Sequence, residues 1–525
     1  MIESFSPYVG IKNPYNSCHR FIESHVEAGN GSKIAIETLD KQITYAELLE
    51  NVNRFGNGIK RLGVERENRI LLVAYDSPEF IISFFGSIKT GVLPVPVNTM
   101  MTPTDYEYFL NNSRAKVLVI QQEIWQKIKM NKDKFLFLQH IIIIADDKDL
   151  LEEEEILFTD LLNEGSTDLT AEWTTMEDTA FWLYSSGSTG EPKGVIHLQK
   201  SMEQAYNNYA RNILQITEDD RTFSASKLFF AYGLGNGMYF PFGAGATTIL
   251  LKEPPRPENI FKTIEDKKPT VFFGVPTLYG SMINYVENTG RKPDLSSIRV
   301  CISAGESLPA PYVRKWKELF NLDILDGIGS TEALHIFLSN KQGDITPGSS
   351  GKLVSGYDAK IVNDDFIEVE TNEIGDLVIK GESITQGYWC NMNENHRKFF
   401  GDWMYTGDKY YQDEQGHYWY CGRSDDMLKV GGIWVSPIEI ESALLHHEYV
   451  LEVAVVAAIK DNGLIHPKAF IVLKKEVEPD DELVRVLQTH VKVHLAPYKY
   501  PRIIEFVKEL PKTATGKLQR FKLRT

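Results

Sequence analysis

The stretch "TAFWLYSSGSTGEPKGVIH", residues 179–197, runs from an apolar segment into a loop crowded with glycine and hydroxyl groups. "TAFWLYS" predicts a buried strand, and "LQKSMEQAYNNYARNIL" beyond the loop predicts a helix. Between them, Gly187, Gly190 and Gly194 let backbone N–H groups turn toward an anion. Ser186, Ser188 and Thr189 add hydroxyl donors, and Lys193 adds a mobile positive charge. A Walker A loop needs a glycine, four residues and then Gly-Lys-Ser/Thr. Here Pro192 stands five places after Gly187 and Lys193 is followed by Gly194, so the P-loop class is excluded. A phosphate cradle of another kind remains the expectation. A flexible glycine-serine surface loop would not call for the apolar strand before it or for Pro-Lys-Gly within it.

The same rhythm of apolar strand, turn and amphipathic helix recurs elsewhere. It appears in "RILLVAYDSPEFIISFFGSIKTG" (69–91), "TVFFGVPTLYGSMINYVEN" (270–288) and "IRVCISAGESLPAPYVRKWKELF" (298–320). Strands alternating with helices predict an α/β fold, with parallel sheets flanked by helices and ligands gathered at the carboxyl ends of strands. After about residue 345 the pattern changes. "GDLVIKGESITQGYW" and "GHYWYCGRSDDMLKV" alternate apolar and polar residues, as half-buried antiparallel strands do. A smaller α+β unit follows: strand-like "VLEVAVVAAI" and "KAFIVLKK", helical "DDELVRVLQTHVKVHLA", then strand-like "IIEFVKEL". The polar "GRSDD" at 422–426 is the expected boundary, giving a large domain over 1–423 and a small one over 424–525.

The totals narrow the classes. At 525 residues the chain is too long for one ordinary core. Its 42% hydrophobic and 24% charged content are those of a globular protein in water. A net charge of −16 argues against general nucleic-acid binding, which wants a basic face, but not against ATP, which a local nest of N–H groups can hold. Cys18, Cys301, Cys390 and Cys421 are scattered without a C-x-x-C pair, so neither a disulfide framework nor a zinc site is expected and a cytoplasmic location fits. "MIESFSPYVG" lacks the apolar core of a secretory signal, and "IIIIA" near 141 is far too short to span a membrane. It predicts a buried strand, while "LEEEE" at 151–155 predicts a solvated segment. Cys301, Cys421, His197 and His417 read as packing or structural residues. No short-period repeat is present, and the composition leaves self-association open.

Four further stretches carry chemistry, in chain order: "DGIGSTEALHIF" (326–337), "YTGD" (405–408), "GRSDD" and "PKTATGK" (511–517). Together with "YSSGSTGEPKG" they resemble, in order, the motifs of the acyl-adenylate-forming enzymes, which include acyl-CoA and aryl-CoA ligases, luciferases and peptide-synthetase adenylation domains. The resemblance runs from "ITYAELLENVNRFGNGIKRLGV" at 43 nearly to the end of the chain. "KLFFAYGLGN" (227–236) and "DILDGIGSTEALHIFLSN" (323–340) are most similar to benzoate-CoA ligases.

The resemblance implies a role for each matching residue. Ser186, Gly187, Ser188, Thr189, Gly190 and Lys193 would bind the β- and γ-phosphates of ATP. Ala304, Gly305 and Glu306, with Asp326 and Gly327, would frame the adenine. Asp408 would accept the ribose hydroxyls, with Arg423 beside it. Thr331 would hold the α-phosphate, and Glu332 would coordinate Mg²⁺. Lys517 would bridge the substrate carboxylate and the α-phosphate, offsetting charge that builds as they join. The small domain would swing about a hinge at Asp425, bringing Gly431 and Gly432 to the cleft, where they leave room for the pantetheine arm of coenzyme A.

The acid would lie in a flat apolar slot formed by Phe230, Ala231, Tyr232, Gly233, Gly329, His335 and Ile336. Gly329 would form its bare floor and His335 its one polar handle. Many relatives carry a histidine within the "FFAYG" region, and this chain has none there. Phe229 reads as core. No acidic residue in these stretches could pair with an ammonium, which argues against an amino-acid substrate. The implied activity is ATP-dependent aryl-CoA ligation. Two alternatives stay open: an enzyme loading an aryl acid onto a carrier protein's pantetheine, and a nucleotide-binding protein without turnover.

Overall fold

The computed structural model describes residues 14–145, 151–185, 191–424, 426–430, 433–459, 465–474, 477–496, 499–512 and 518–524. Ser186 to Gly190, Asp425, Gly431, Gly432 and Lys517 lie outside the described residues.

The apolar runs "RILLV", "VLVIQ" and "HIIII" become the strands Arg69–Val73, Val117–Gln121 and His140–Ile144. They lie side by side in a parallel five-stranded sheet with Leu93–Pro96 and Glu155–Leu157 at its edges. Near-continuous Val, Ile and Leu is what a strand covered on both faces requires. Leu71, Leu72, Val117, Val119 and Ile142 are fully buried. In "LEEEE", Glu152 to Glu154 are exposed, and Glu155 starts the edge strand.

A second sheet of nine strands carries most of the site. Its parallel centre runs Ile324–Gly329, Val300–Ser303, Val271–Gly274, Arg221–Ser224, Thr247–Ile249, Ile34–Glu37. The helices Pro276–Thr289 and Ala310–Phe320 follow their strands as the strand–turn–helix pattern predicts. Ile336–Ser339 returns antiparallel against Ile324–Gly329, pairing Gly327 with Ser339 and Gly329 with Ile336.

The strand and the helix read on either side of the loop are present, and the structure adds a second strand between them. Thr179–Ser185 is a strand, but Lys193–Leu198 is a strand as well, folded back antiparallel with Ser185 opposite Lys193. The expected helix follows, starting at Gln199. "KGVIHL" is long enough, and β-branched enough, to pair before the helix begins. Lys193 is therefore fixed on a strand that also pairs with Gly387–Tyr388.

Beyond residue 345 the antiparallel reading holds. Tyr357–Val362, Gly375–Gly381 and Trp403–Gln412 pair in sequence, and Tyr418–Arg423 closes the sheet with Asp408 opposite Arg423. A separate apolar cluster begins at Leu428 and gathers Val435, Ile440, Leu444, Val455, Ile471 and Leu487. It packs the helices Pro437–Leu445 and Asp481–His494 against the sheet Val450–Ile459, Ile465–Leu473, Ile503–Phe506. Asp480 caps the second helix, accepting from Leu483 N at 2.7 Å. No helix among the described residues is long and apolar enough to cross a membrane.

Candidate active site

Strand ends and the turns after them bring the charged residues together. Glu332 follows the strand Ile324–Gly329 and is half-buried. Its Oε1 accepts from the Tyr388 hydroxyl at 2.8 Å and from Ser185 Oγ at 3.2 Å. Its carbonyl accepts from Thr385 N at 2.7 Å. Burial alone would raise its carboxyl, but the nearby Lys398 charge and the bonds from Tyr388 and Ser185 hold it below the usual carboxylate range. The group is held toward its anionic form. Thr331 is fixed by its backbone, whose carbonyl accepts from His197 Nε2 at 3.0 Å. His197 is fully buried and stacks on Phe181, and burial pushes its imidazole down to about 4, so it serves as a neutral donor.

Asp408 ends "YTGD" within the strand Trp403–Gln412, and Arg423 Nη1 donates to its Oδ1 at 3.1 Å across the strand pair. Asp408 is buried, whereas 47% of the Arg423 side chain faces solvent. The Asp408 carboxylate raises the Arg423 guanidinium further above its ordinary value. The "SAGE" turn leaves the strand Val300–Ser303 with Gly305 at φ +97°, a conformation that disfavours any other residue. Ala304 is buried and Glu306 half-buried. Asp326 lies on the neighbouring strand in register with Ser303. Burial drives its carboxyl well above the usual range, and its Oδ1 has no hydrogen-bond partner among the described residues. A buried oxygen without a partner among the described residues can take a hydrogen bond from a ligand.

Tyr232 and His335 meet with ring centroids 5.5 Å apart. The Tyr232 hydroxyl donates to the carbonyls of Gly274 and Ile302, each at 3.3 Å. His335 is buried beside Phe240 and Tyr209, with Nε2 3.0 Å from Asn236 Oδ1. Burial pushes its imidazole down to about 3, so it is uncharged. Phe230 is half-buried against Phe229, and Ala231, Gly233 and Ile336 are buried. The floor expected at Gly329 differs in one respect. A Cβ there would stand 2.4 Å from the His335 carbonyl oxygen, so the missing side chain lets the strand pair close rather than leaving an open face.

Three residues in this arrangement were missed by sequence reasoning. Tyr388 holds Glu332, Glu394 pairs with Lys193, and Lys398 donates to the Thr406 carbonyl at 2.9 Å with its charge felt by Glu332 and Asp408. They sit in "GYWCNMNENHRKFF", which has no phosphate-loop or metal-ligand spacing to mark it.

An ionised carboxylate at Glu332, the Asp408–Arg423 pair and a lysine at the start of the strand Lys193–Leu198 are groups of the kind that handle a nucleotide. The chain belongs to the AMP-binding enzyme family, whose model matches residues 23–389, with the AMP-binding enzyme C-terminal domain matching 439–517. It is 46% identical to the benzoate–CoA ligase of Thauera aromatica, over 99% of this chain and 97% of that one. It is 43% identical to the 4-hydroxybenzoate–CoA/benzoate–CoA ligase of Rhodopseudomonas palustris, over 97% of this chain and 94% of that one. Among solved structures, an anthranilate CoA ligase in complex with anthranoyl-AMP matches with a TM-score of 0.92 at 42% identity, covering 98% of this chain and 97% of that one. A benzoate CoA ligase from Burkholderia xenovorans LB400 matches with a TM-score of 0.88 at 41% identity, covering 97% of this chain and 100% of that one.

Proposed function

We propose that the protein is an ATP-dependent aryl-CoA ligase that activates benzoate, or a benzoate with a small ring substituent, as the aryl-adenylate and passes it to coenzyme A. The observation that carries this reading is the likeness to benzoate–CoA ligases over nearly the whole length of both chains. In the first half-reaction a carboxylate oxygen of the acid attacks the α-phosphorus of ATP and the bond to pyrophosphate breaks. In the second the CoA thiolate attacks the acyl carbon and AMP leaves with the bridging oxygen.

Lys193 and the hydroxyls of Ser186, Ser188 and Thr189 would steady the β- and γ-phosphates, and the Thr331 hydroxyl the α-phosphate. Asp408 would accept the ribose hydroxyls, with Arg423 trading part of its hold on that carboxylate. Asp326 and the "SAGE" turn of Ala304, Gly305 and Glu306 would border the adenine. Mg²⁺ suits Glu332, a single ionised carboxylate whose remaining partners would be phosphate and water oxygens, and when bound it neutralises phosphate charge. Tyr232 and His335 would flank the aryl ring, with His335 uncharged so that it does not attract the substrate carboxylate away from the phosphorus. Catalysis is then positioning and charge compensation, with no covalent bond to the protein. The small domain, hinged at Asp425, would bring Lys517 to the cleft for adenylation and Gly431–Gly432 for thiolation. A cytoplasmic setting goes with this reading, since all four cysteines are free thiols.

A panel of aryl and aliphatic acids with ATP, Mg²⁺ and CoA, following AMP and thioester, tests the proposal. Benzoates are expected to outpace fatty acids of eight or more carbons. A faster octanoate would overturn the aryl assignment. Aryl-AMP without thioester would instead point to loading of a carrier protein.

A further inference from the structure

The short helix Met392–Lys398 lies against the charged face of the site. It is tied to the strand Gly387–Tyr388 by Asn395, whose Oδ1 accepts from Tyr388 N at 2.7 Å and whose Nδ2 donates to the Tyr388 carbonyl at 3.1 Å. One turn of this helix therefore has a fixed place relative to Tyr388. From it Glu394 forms an ion pair with Lys193, whose side chain is 12% exposed against 23% for Glu394. The Lys193 ammonium also lies 5.3 Å from the centre of the Tyr388 ring, while the Tyr388 hydroxyl donates to Glu332. Glu394 has a second, looser partner in Arg397 at 3.4 Å, on a side chain that is 77% exposed. The Lys193 bond holds the Glu394 carboxyl below the ordinary range.

The lysine that follows the hydroxyl-rich loop is thus already neutralised by a carboxylate from a segment 201 residues away. A phosphate chain and Glu394 are both anions, and Lys193 cannot give its full charge to both. We propose that Glu394 is a competitor for Lys193 that sets the affinity for ATP: the β- and γ-phosphates must displace it, and the Met392–Lys398 helix holds it in place to be displaced. The inference rests on the reading of Lys193 as a phosphate ligand.

Equilibrium binding of ATP with Mg²⁺, and separately of AMP, to the wild-type chain and to Glu394→Gln tests it by calorimetry. Removing the competing charge should tighten ATP about three- to tenfold, the effect of one partly buried ion pair. AMP lacks the β- and γ-phosphates and should bind both proteins alike. In a Lys193→Met background the ATP gain from Glu394→Gln should vanish, because the two changes act on one contact. Unchanged or weaker ATP binding in Glu394→Gln would overturn the proposal. So would equal tightening of ATP and AMP, which would mean that Glu394 only adds negative potential to the cleft. A wild-type chain that binds AMP but not ATP would remove the phosphate role of Lys193, and this inference with it. ATP binding that is normal but indifferent to Glu394 would remove the inference alone.

Discussion

Two ion pairs stand on either side of position 425. Before it, Arg423 reaches Asp408 at 3.1 Å with nearly half of the arginine side chain in solvent. After it, Arg520 grips Glu441 through one nitrogen, at 2.8 Å to Oε1 and 2.7 Å to Oε2, with side chains only 18% and 10% exposed. The first pair can give up a bond to an incoming hydroxyl, because water and ligand reach the guanidinium. The second is closed, and ties the chain just after position 517 to the helix Pro437–Leu445. On the other side of that segment Lys512 pairs with Glu452 at 2.7 Å and bridges to Leu518 across the strand gap. The Asp408–Arg423 pair is open to an exchange of partners, whereas Arg520–Glu441 is closed and holds the described chain just after 517.

The sharpest way to break that contrast is Glu441→Gln. Leaving Arg520 buried without its anion should cost about 3–5 kcal/mol and lower the unfolding midpoint of the small unit. A midpoint shift no larger than that of a surface variant would show the pair to be no anchor.

Next in size is Lys517→Ala, which should remove about 3–4 kcal/mol of transition-state stabilisation from adenylation, on the order of 10²–10³ in rate. Thioester formation from supplied aryl-AMP should continue. Equal loss in both half-reactions would contradict a lysine that is needed in only one of them.

The third prediction concerns pH. The His197 imidazole is pushed down to about 4 by burial, against about 6.5 when unfolded. As pH falls below about 6.5 the unfolded chain takes up this proton first, so stability declines between roughly pH 6.5 and 4, by on the order of 3 kcal/mol from this residue. His335, pushed to about 3, extends the decline. His197→Gln keeps a donor for the Thr331 carbonyl and should flatten the slope of unfolding free energy against pH. An unchanged slope would mean that the acid lability comes from elsewhere.

Arg423→Ala should give the smallest effect. A half-exposed pair is worth about 1 kcal/mol, seen as a several-fold rise in the ATP concentration needed for half-saturation with little change in thermal midpoint. A stability loss matching that of Glu441→Gln would erase the distinction between the two pairs.

The parts of this arrangement legible in the sequence are those with a local physical signature. "RILLV" and "HIIII" announce strands covered on both faces, and "GIGSTE" announces a turn at a strand end bearing an acid. Lys193 was legible as a cation beside a loop, but its place on a returning strand was not. The glycines and proline of the loop mask the onset of pairing at "KGVIHL", and the pairing partner, "TAFWLYS", reads the same whether it continues into a helix or a hairpin. Tyr388, Glu394 and Lys398 left no local trace. Their meaning depends on Lys193, Glu332 and Thr406 arriving at the same place, and only the crossing of distant sheets brings them there.

The most direct test of the account is acid-dependent exchange between pyrophosphate and ATP by the wild-type chain without CoA. The account predicts exchange that requires Mg²⁺ and benzoate, is far slower with octanoate, and is absent without an acid. Exchange that is independent of acid, exchange fastest with octanoate, or turnover of ATP to ADP and phosphate would contradict it.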